Sequence, residues 1–165
     1  MENQSIKTPL EISENEKNVS AFIHLSTFLK YFIPLGNFMG PIILWQVNKD
    51  KDFIDTNGRA AINFQLSIFV YTLIICFLCL PFFAIFVTDF VSLIESIEHH
   101  TDAIRVNEIE NLAGYIMVAV VVALLFFGLF LLELYAVINA AMHASKGKEY
   151  RYPFCINFFK RATLN

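Results

Sequence analysis

Charge is what this chain has least of. Only 16% of its 165 residues are Asp, Glu, Lys or Arg, while 56% are hydrophobic and 18 are Phe. A soluble domain carries about 25% charged and about 45–50% apolar residues. The deficit falls in blocks, since residues 60–86 and 112–132 contain no charged side chain at all. Two such blocks exclude an ordinary soluble core, and each is long enough to cross a hydrocarbon layer ~30 Å thick. Cysteine is scarce too. Cys76, Cys79 and Cys155 make no disulfide framework, and the first two, one helical turn apart in an apolar run, read as packing residues. No Gly-rich phosphate loop, HExxH helix or nucleophile elbow occurs, so the expected protein is not an enzyme and takes no cofactor or resident metal. Residues 1–19 are polar and acidic and lack the basic start and cleavage site of a secretory signal. They are expected to form a flexible tail ahead of a single membrane domain, 20–165.

What is present points to an all-α, polytopic membrane bundle. In lipid every backbone polar group must bond internally, so the uncharged runs are helices, predicted at 57–88 and 107–146. Pro81 lies inside the first and is a candidate kink; Phe90, Ile94 and Ile97 continue its helical spacing as an amphipathic extension. The second has Asn107 and Glu110 as a start resembling a capping box, and Gly147 as a stop. Residues 20–47 are apolar but interrupted by Pro34-Leu35-Gly36-Asn37 and by Gly40-Pro41. Two pieces of about 13 residues would each reach only ~20 Å, too short to cross alone. The segment is either one badly broken span or, preferred, a re-entrant hairpin of two short helices.

Basic residues orient the chain. Lys49, Lys51 and Arg59 lie within 48–59, ahead of the first uncharged run, and Lys146, Lys148, Arg151, Lys160 and Arg161 come after the second. The connection 89–111 holds Arg105 against Asp89, Glu95, Glu98, Asp102, Glu108 and Glu110. The positive-inside rule therefore puts the C-terminus in the cytoplasm and the acidic connection outside, in a multi-pass protein of the cytoplasmic membrane. In the tail 148–165, aromatic residues interleave with cations, which predicts an interfacial segment with Tyr150, Tyr152, Arg151, Lys160 and Arg161 at lipid headgroups. Beside a membrane span the same pattern argues against nucleic acid as partner.

The runs Ala21-Phe-Ile-His-Leu-Ser, Ile33-Pro-Leu-Gly-Asn, Gly40-Pro-Ile-Ile-Leu-Trp, Asn57-Gly-Arg-Ala-Ala-Ile-Asn-Phe-Gln and Tyr150-Arg-Tyr-Pro resemble a family of small prokaryotic membrane proteins. It is a domain of unknown function, Tic-twenty-like, distantly related to a chloroplast inner-envelope import component. The resemblance covers residues 20–160. It implies a compact bundle of about four membrane helical segments and, by analogy alone, a part in protein translocation or secretion.

Glu133 stands out, an ionisable group within an apolar run, where such a group faces the bundle or a water cavity. Lys30 and His24 are its candidate partners. Asn37, at the helix break, joins them as a candidate for an intramembrane polar site. Asn63, Gln65 and Ser67 are expected to form one polar stripe against the broken segment, with Asn139 and His143 as similar interhelical glue. His99 and His100 are read as part of a solvated acidic loop, because neighbours on a helix diverge by about 100° and do not converge on a metal. The preferred function is a non-enzymatic scaffold or interaction subunit of a membrane complex, partnered by lipid and by another membrane protein or by itself. The alternative is a small oligomeric transporter or channel with Glu133 and the Pro34–Asn37 break lining its path.

Overall fold

Ser13 starts the first helix. Its hydroxyl accepts the Glu16 backbone N–H at 3.3 Å, and the Glu16 carboxylate accepts the Ser13 N–H at 2.9 Å. This reciprocal capping box opens α1, Glu14–Leu25, so ordered helix begins inside the stretch expected to be a flexible tail. The computed structural model describes residues 12–98 and 106–160 and is helical wherever it is regular. A 3₁₀ segment, Ser26–Tyr31, continues α1, and α2 follows as Gly36–Asn48. Between them Leu35 takes the left-handed conformation, φ 60°.

Glycines set how closely α2 meets the preceding arm. A side-chain carbon on Gly36 would sit 2.5 Å from the Leu29 backbone, and one on Gly40 2.8 Å from the Ser26 carbonyl. The two arms therefore approach backbone to backbone at these glycines, and α2 touches both α1 and the 3₁₀ segment. The break expected at Gly40-Pro41 does not occur; α2 runs through Pro41. Pro41 lies near the start of α2, where its absent N–H costs a single bond, to the Asn37 carbonyl.

Two long helices follow, α3 from Asp52 to Glu98 and α4 from Val106 to Ser145. Asp52 and Asp55 in the first turn of α3 complement its positive end, which starts this helix five residues ahead of the predicted 57. At the end of α4, Gly147 adopts φ 68°. Its N–H bonds the Ala144 carbonyl and the Lys148 N–H bonds the His143 carbonyl, both at 2.9 Å, which is a Schellman stop.

The chain divides into two compact units, to which α3 and α4 both contribute. The first comprises residues up to Ile68 together with those from Glu133 onward. Its interior gathers Ile23, Ile54 and Ala61, with Val19, Leu44 and Trp45 packed around them. Ala136, Ala140 and Ala144, one per turn on α4, are wholly buried, the small-residue face that lets helices approach closely. The second unit, Phe69–Leu132, has Phe86 edge-on to Tyr115 at 5.2 Å, and the Tyr115 hydroxyl donates to Asp89.

Two stretches, Asp52–Ser92 and Ala113–Ser145, are long and apolar enough to cross a membrane. A core helix of a soluble protein would bury its most apolar residues; here 6% and 0% of them are buried. Large apolar side chains such as Phe77, Leu78, Met117 and Leu124 are each more than 60% exposed.

Gly58 provides a direct test of the packing. Its Cα lies against the Trp45 ring, where an added Cβ would overlap the indole. Trp45 is held there by its N–H to Asp55 at 2.9 Å and by Arg59 stacked 5.4 Å over its ring. Gly58→Ala is expected to lower stability by about 1–3 kcal/mol through overpacking. Gly128→Ala, with nothing within 4 Å of the new carbon, is expected to cost nothing, as read by thermal denaturation in detergent.

Candidate functional site

Four helical elements of the first unit meet on Glu133. The side chain is 3% exposed, and each carboxylate oxygen has its own donor. Lys30, from the 3₁₀ segment, donates to Oε2, and Gln65, from α3, donates its Nε2–H to Oε1 at 3.1 Å. Asn37, at the start of α2, donates in turn to the Gln65 Oε1 at 3.1 Å. The four side chains thus form one chain of hydrogen bonds across the unit. A buried carboxylate needs a paired charge and filled lone pairs, and this arrangement supplies both. Lys30 is about one quarter exposed, so the pair reaches the protein surface from the lysine end only.

His24 lies elsewhere. It is fully buried, with Nε2 2.9 Å from the Asn57 Oδ1 and Nδ1 2.8 Å from the Tyr152 hydroxyl. Asn57 spends its own N–H on the Phe53 carbonyl, so its oxygen accepts from His24 and Nε2 carries the proton. Nδ1 then accepts from Tyr152. Both ring nitrogens are satisfied in the neutral form, and Glu133 is not a partner. Among the described residues only the Ser20 hydroxyl is a buried side-chain polar atom without a hydrogen bond.

The polar stripe on α3 splits in two. A helix turns about 100° per residue, so positions two apart face roughly opposite ways while positions four apart align. Gln65 alone faces the broken segment. Asn63 and Ser67 face the C-terminal tail instead, a correction to the single stripe expected above. The Asn63 amide pairs both ways with Phe159, accepting its N–H at 2.8 Å and donating to its carbonyl at 3.1 Å. Ser67 accepts the Ile156 N–H at 2.8 Å, and Arg59 donates to the Lys160 carbonyl at 3.2 Å. Asn139 and His143 bond backbone carbonyls of α4 itself, so their hydrogen bonds link no second helix.

The tail is therefore tied down along its length. Tyr152, expected among lipid headgroups, is 8% exposed and stacks on Phe64 at 4.2 Å and 14° between planes. Burial pushes its phenol well above the usual range, so it stays a neutral donor. Arg151 and Lys160 are exposed and Tyr150 is half-buried; Arg161, His99 and His100 lie outside the described residues. Among the described residues no group of three His, Cys, Asp or Glu side chains is arranged to hold a metal ion.

Gln65 meets the broken segment as its sequence pattern suggested, whereas composition marks neither Asn57 nor Tyr152 as a residue that joins these elements. The signal available was their polarity beside apolar neighbours, which says that a partner exists and not which one.

Residues 15–159 match the magnetosome magnetite crystal formation protein family, MamF_MmsF. The chain belongs to that family. No curated protein and no solved structure matches it. Membership overturns the Tic-twenty-like assignment, and the translocation or secretion role implied by that resemblance goes with it. The residues behind that resemblance include Gly36, Gly40, Asn57, Gly58, Asn63, Gln65 and Tyr152, all of which serve packing or hydrogen bonds between elements. Such residues report how helices fit together, and function does not follow from fit. With two long apolar helices in a magnetosome family, the chain is a membrane-embedded protein.

Proposed function

We propose that this protein acts in magnetite crystal formation as a non-enzymatic interaction subunit of the magnetosome membrane. The family match over residues 15–159 is the observation that carries the proposal. The site supports a holding role: Glu133, Gln65, Asn37 and Lys30 join four elements, and Asn63, Ser67 and Tyr152 hold the tail. Groups engaged this way stabilise one arrangement, whereas a conducting path needs polar groups left open to water. The largely unburied apolar helices suit contact with lipid and with neighbouring membrane helices. In this reading α3 and α4 are the two spans, the 20–47 segment is a re-entrant hairpin, and the basic tail is cytoplasmic.

The test is genetic. Deleting the gene in magnetite-forming cells is expected to change crystal size or number, seen by electron microscopy, and a plasmid-borne copy is expected to restore them. A tagged copy should co-purify in mild detergent with itself or another membrane protein at fixed stoichiometry. Unchanged crystals would remove the crystal-formation role. A monodisperse monomer that conducts cations in liposomes would replace the interaction subunit with the transporter.

A further inference from the structure

Beside the anchored tail lies a cavity of about 660 Å³, between the first turns of α3 and residues 149–160. Its size falls within the ~300–1,000 Å³ range of small-ligand sites. The polar groups on its α3 side are already engaged: Thr56 donates to the Asp52 carbonyl, and Asn57 is held between Phe53 and His24. The tail side differs. Arg151, Lys160, Tyr150 and Asn157 line it, and among the described residues none of these side chains makes a hydrogen bond or ion pair. Glu149 is the one carboxylate on the wall, against two cations and two neutral donors.

Such a wall asks for a ligand rich in acceptor oxygens and negative charge. Guanidinium and ammonium groups form their strongest hydrogen bonds with phosphate and carboxylate oxygens. The backbone that presents them is already anchored by Asn63, Ser67 and Arg59, so little further ordering is needed on binding. Exposed rings flank the cavity in the same segment: Phe154 is 76% exposed, and Phe158 and Phe159 are nearly half exposed. Apolar rings next to unpaired cations match a surface where acyl chains meet headgroups.

We infer that this cavity binds the phosphate headgroup of an anionic phospholipid, with Arg151 and Lys160 on the phosphate and the neighbouring Phe rings against the lipid chains. The bound headgroup then fills the space between the already anchored tail and α3. This goes beyond the crystal-formation role and does not depend on it.

The test uses the full chain in a neutral detergent, with native mass spectrometry counting short-chain phosphatidylglycerol against phosphatidylcholine. One phosphatidylglycerol per chain is expected to bind saturably, and phosphatidylcholine is not. Arg151→Gln with Lys160→Gln should weaken binding about tenfold or more. Lys148→Gln removes a charge outside the cavity and should leave binding unchanged. Glu149→Gln removes the opposing carboxylate and should tighten it several-fold, a gain that unfolding cannot mimic. Equal weakening by Lys148→Gln, or binding that never saturates, overturns the site. Inorganic phosphate binding as tightly as the lipid, measured by calorimetry, overturns the lipid source and leaves a soluble phosphate as the ligand.

Discussion

Replacing Lys30 by Met should destabilise the protein more than replacing Glu133 by Gln. Both changes break the same ion pair, but they leave different residues behind. Lys30→Met strands a carboxylate that is 3% exposed, whose remaining donor is Gln65. Removing one partner of a buried pair costs about 3–5 kcal/mol, because the other charge stays uncompensated. Glu133→Gln leaves a lysine about one quarter exposed, which can turn its ammonium toward water, and keeps an acceptor for Gln65. Its cost should stay nearer ~1–2 kcal/mol. The double variant Lys30→Met/Glu133→Gln should be more stable than Lys30→Met alone, since no buried charge remains unpaired. Denaturation in mixed detergent micelles, followed by far-UV circular dichroism, reads all three. If Lys30→Met matched wild type, or the order of the single variants reversed, the pair would not be holding these helices together.

Tyr152→Ala should release the tail. The ring is 8% exposed and stacked on Phe64, and its hydroxyl is the donor to His24 across 128 residues of sequence. Loss of a buried aromatic costs about 3–5 kcal/mol, enough to favour a detached tail over an ordered one. Trypsin should then cut rapidly after Arg151 and Lys160 in the folded, detergent-bound protein. Tyr152→Phe separates the two contributions. It keeps the stacking but leaves the His24 Nδ1 buried without a donor, at about 1–3 kcal/mol. Cleavage should be intermediate. Equal protease resistance in all three proteins would show that the Asn63 and Ser67 hydrogen bonds hold the tail unaided.

Both predictions turn on partners far apart in sequence, and there the sequence reading was least informative. Glu133 is legible in sequence as an ionisable residue needing a partner, with Lys30 and His24 as its candidates. Nothing local separates those two, since both belong to the same short segment. The choice was made by where the 3₁₀ segment and α4 meet, and by Asn57 and Tyr152 occupying both nitrogens of His24. Tyr152 was misplaced for a related reason. An aromatic residue among cations looks interfacial by composition, and only its stacking on Phe64 marks it as interior. The start of α1 is a different case: Ser13 and Glu16 carry a capping signal in plain view, within a stretch whose acidity suggested a tail.

The sequence by itself determined the helical class, the two long apolar helices, a chain break beginning at Pro34 and the stop at Gly147. Each is a short-range property, set by hydropathy over about 20 residues or by the φ preferences of Gly and Pro. Tertiary structure alone decided that Lys30 pairs with Glu133, that Gln65 turns away from Asn63, and that the tail closes over α3 to leave a cavity lined by cations. These contacts link positions up to 103 residues apart, and a side chain's polarity states that it needs a partner without stating which one.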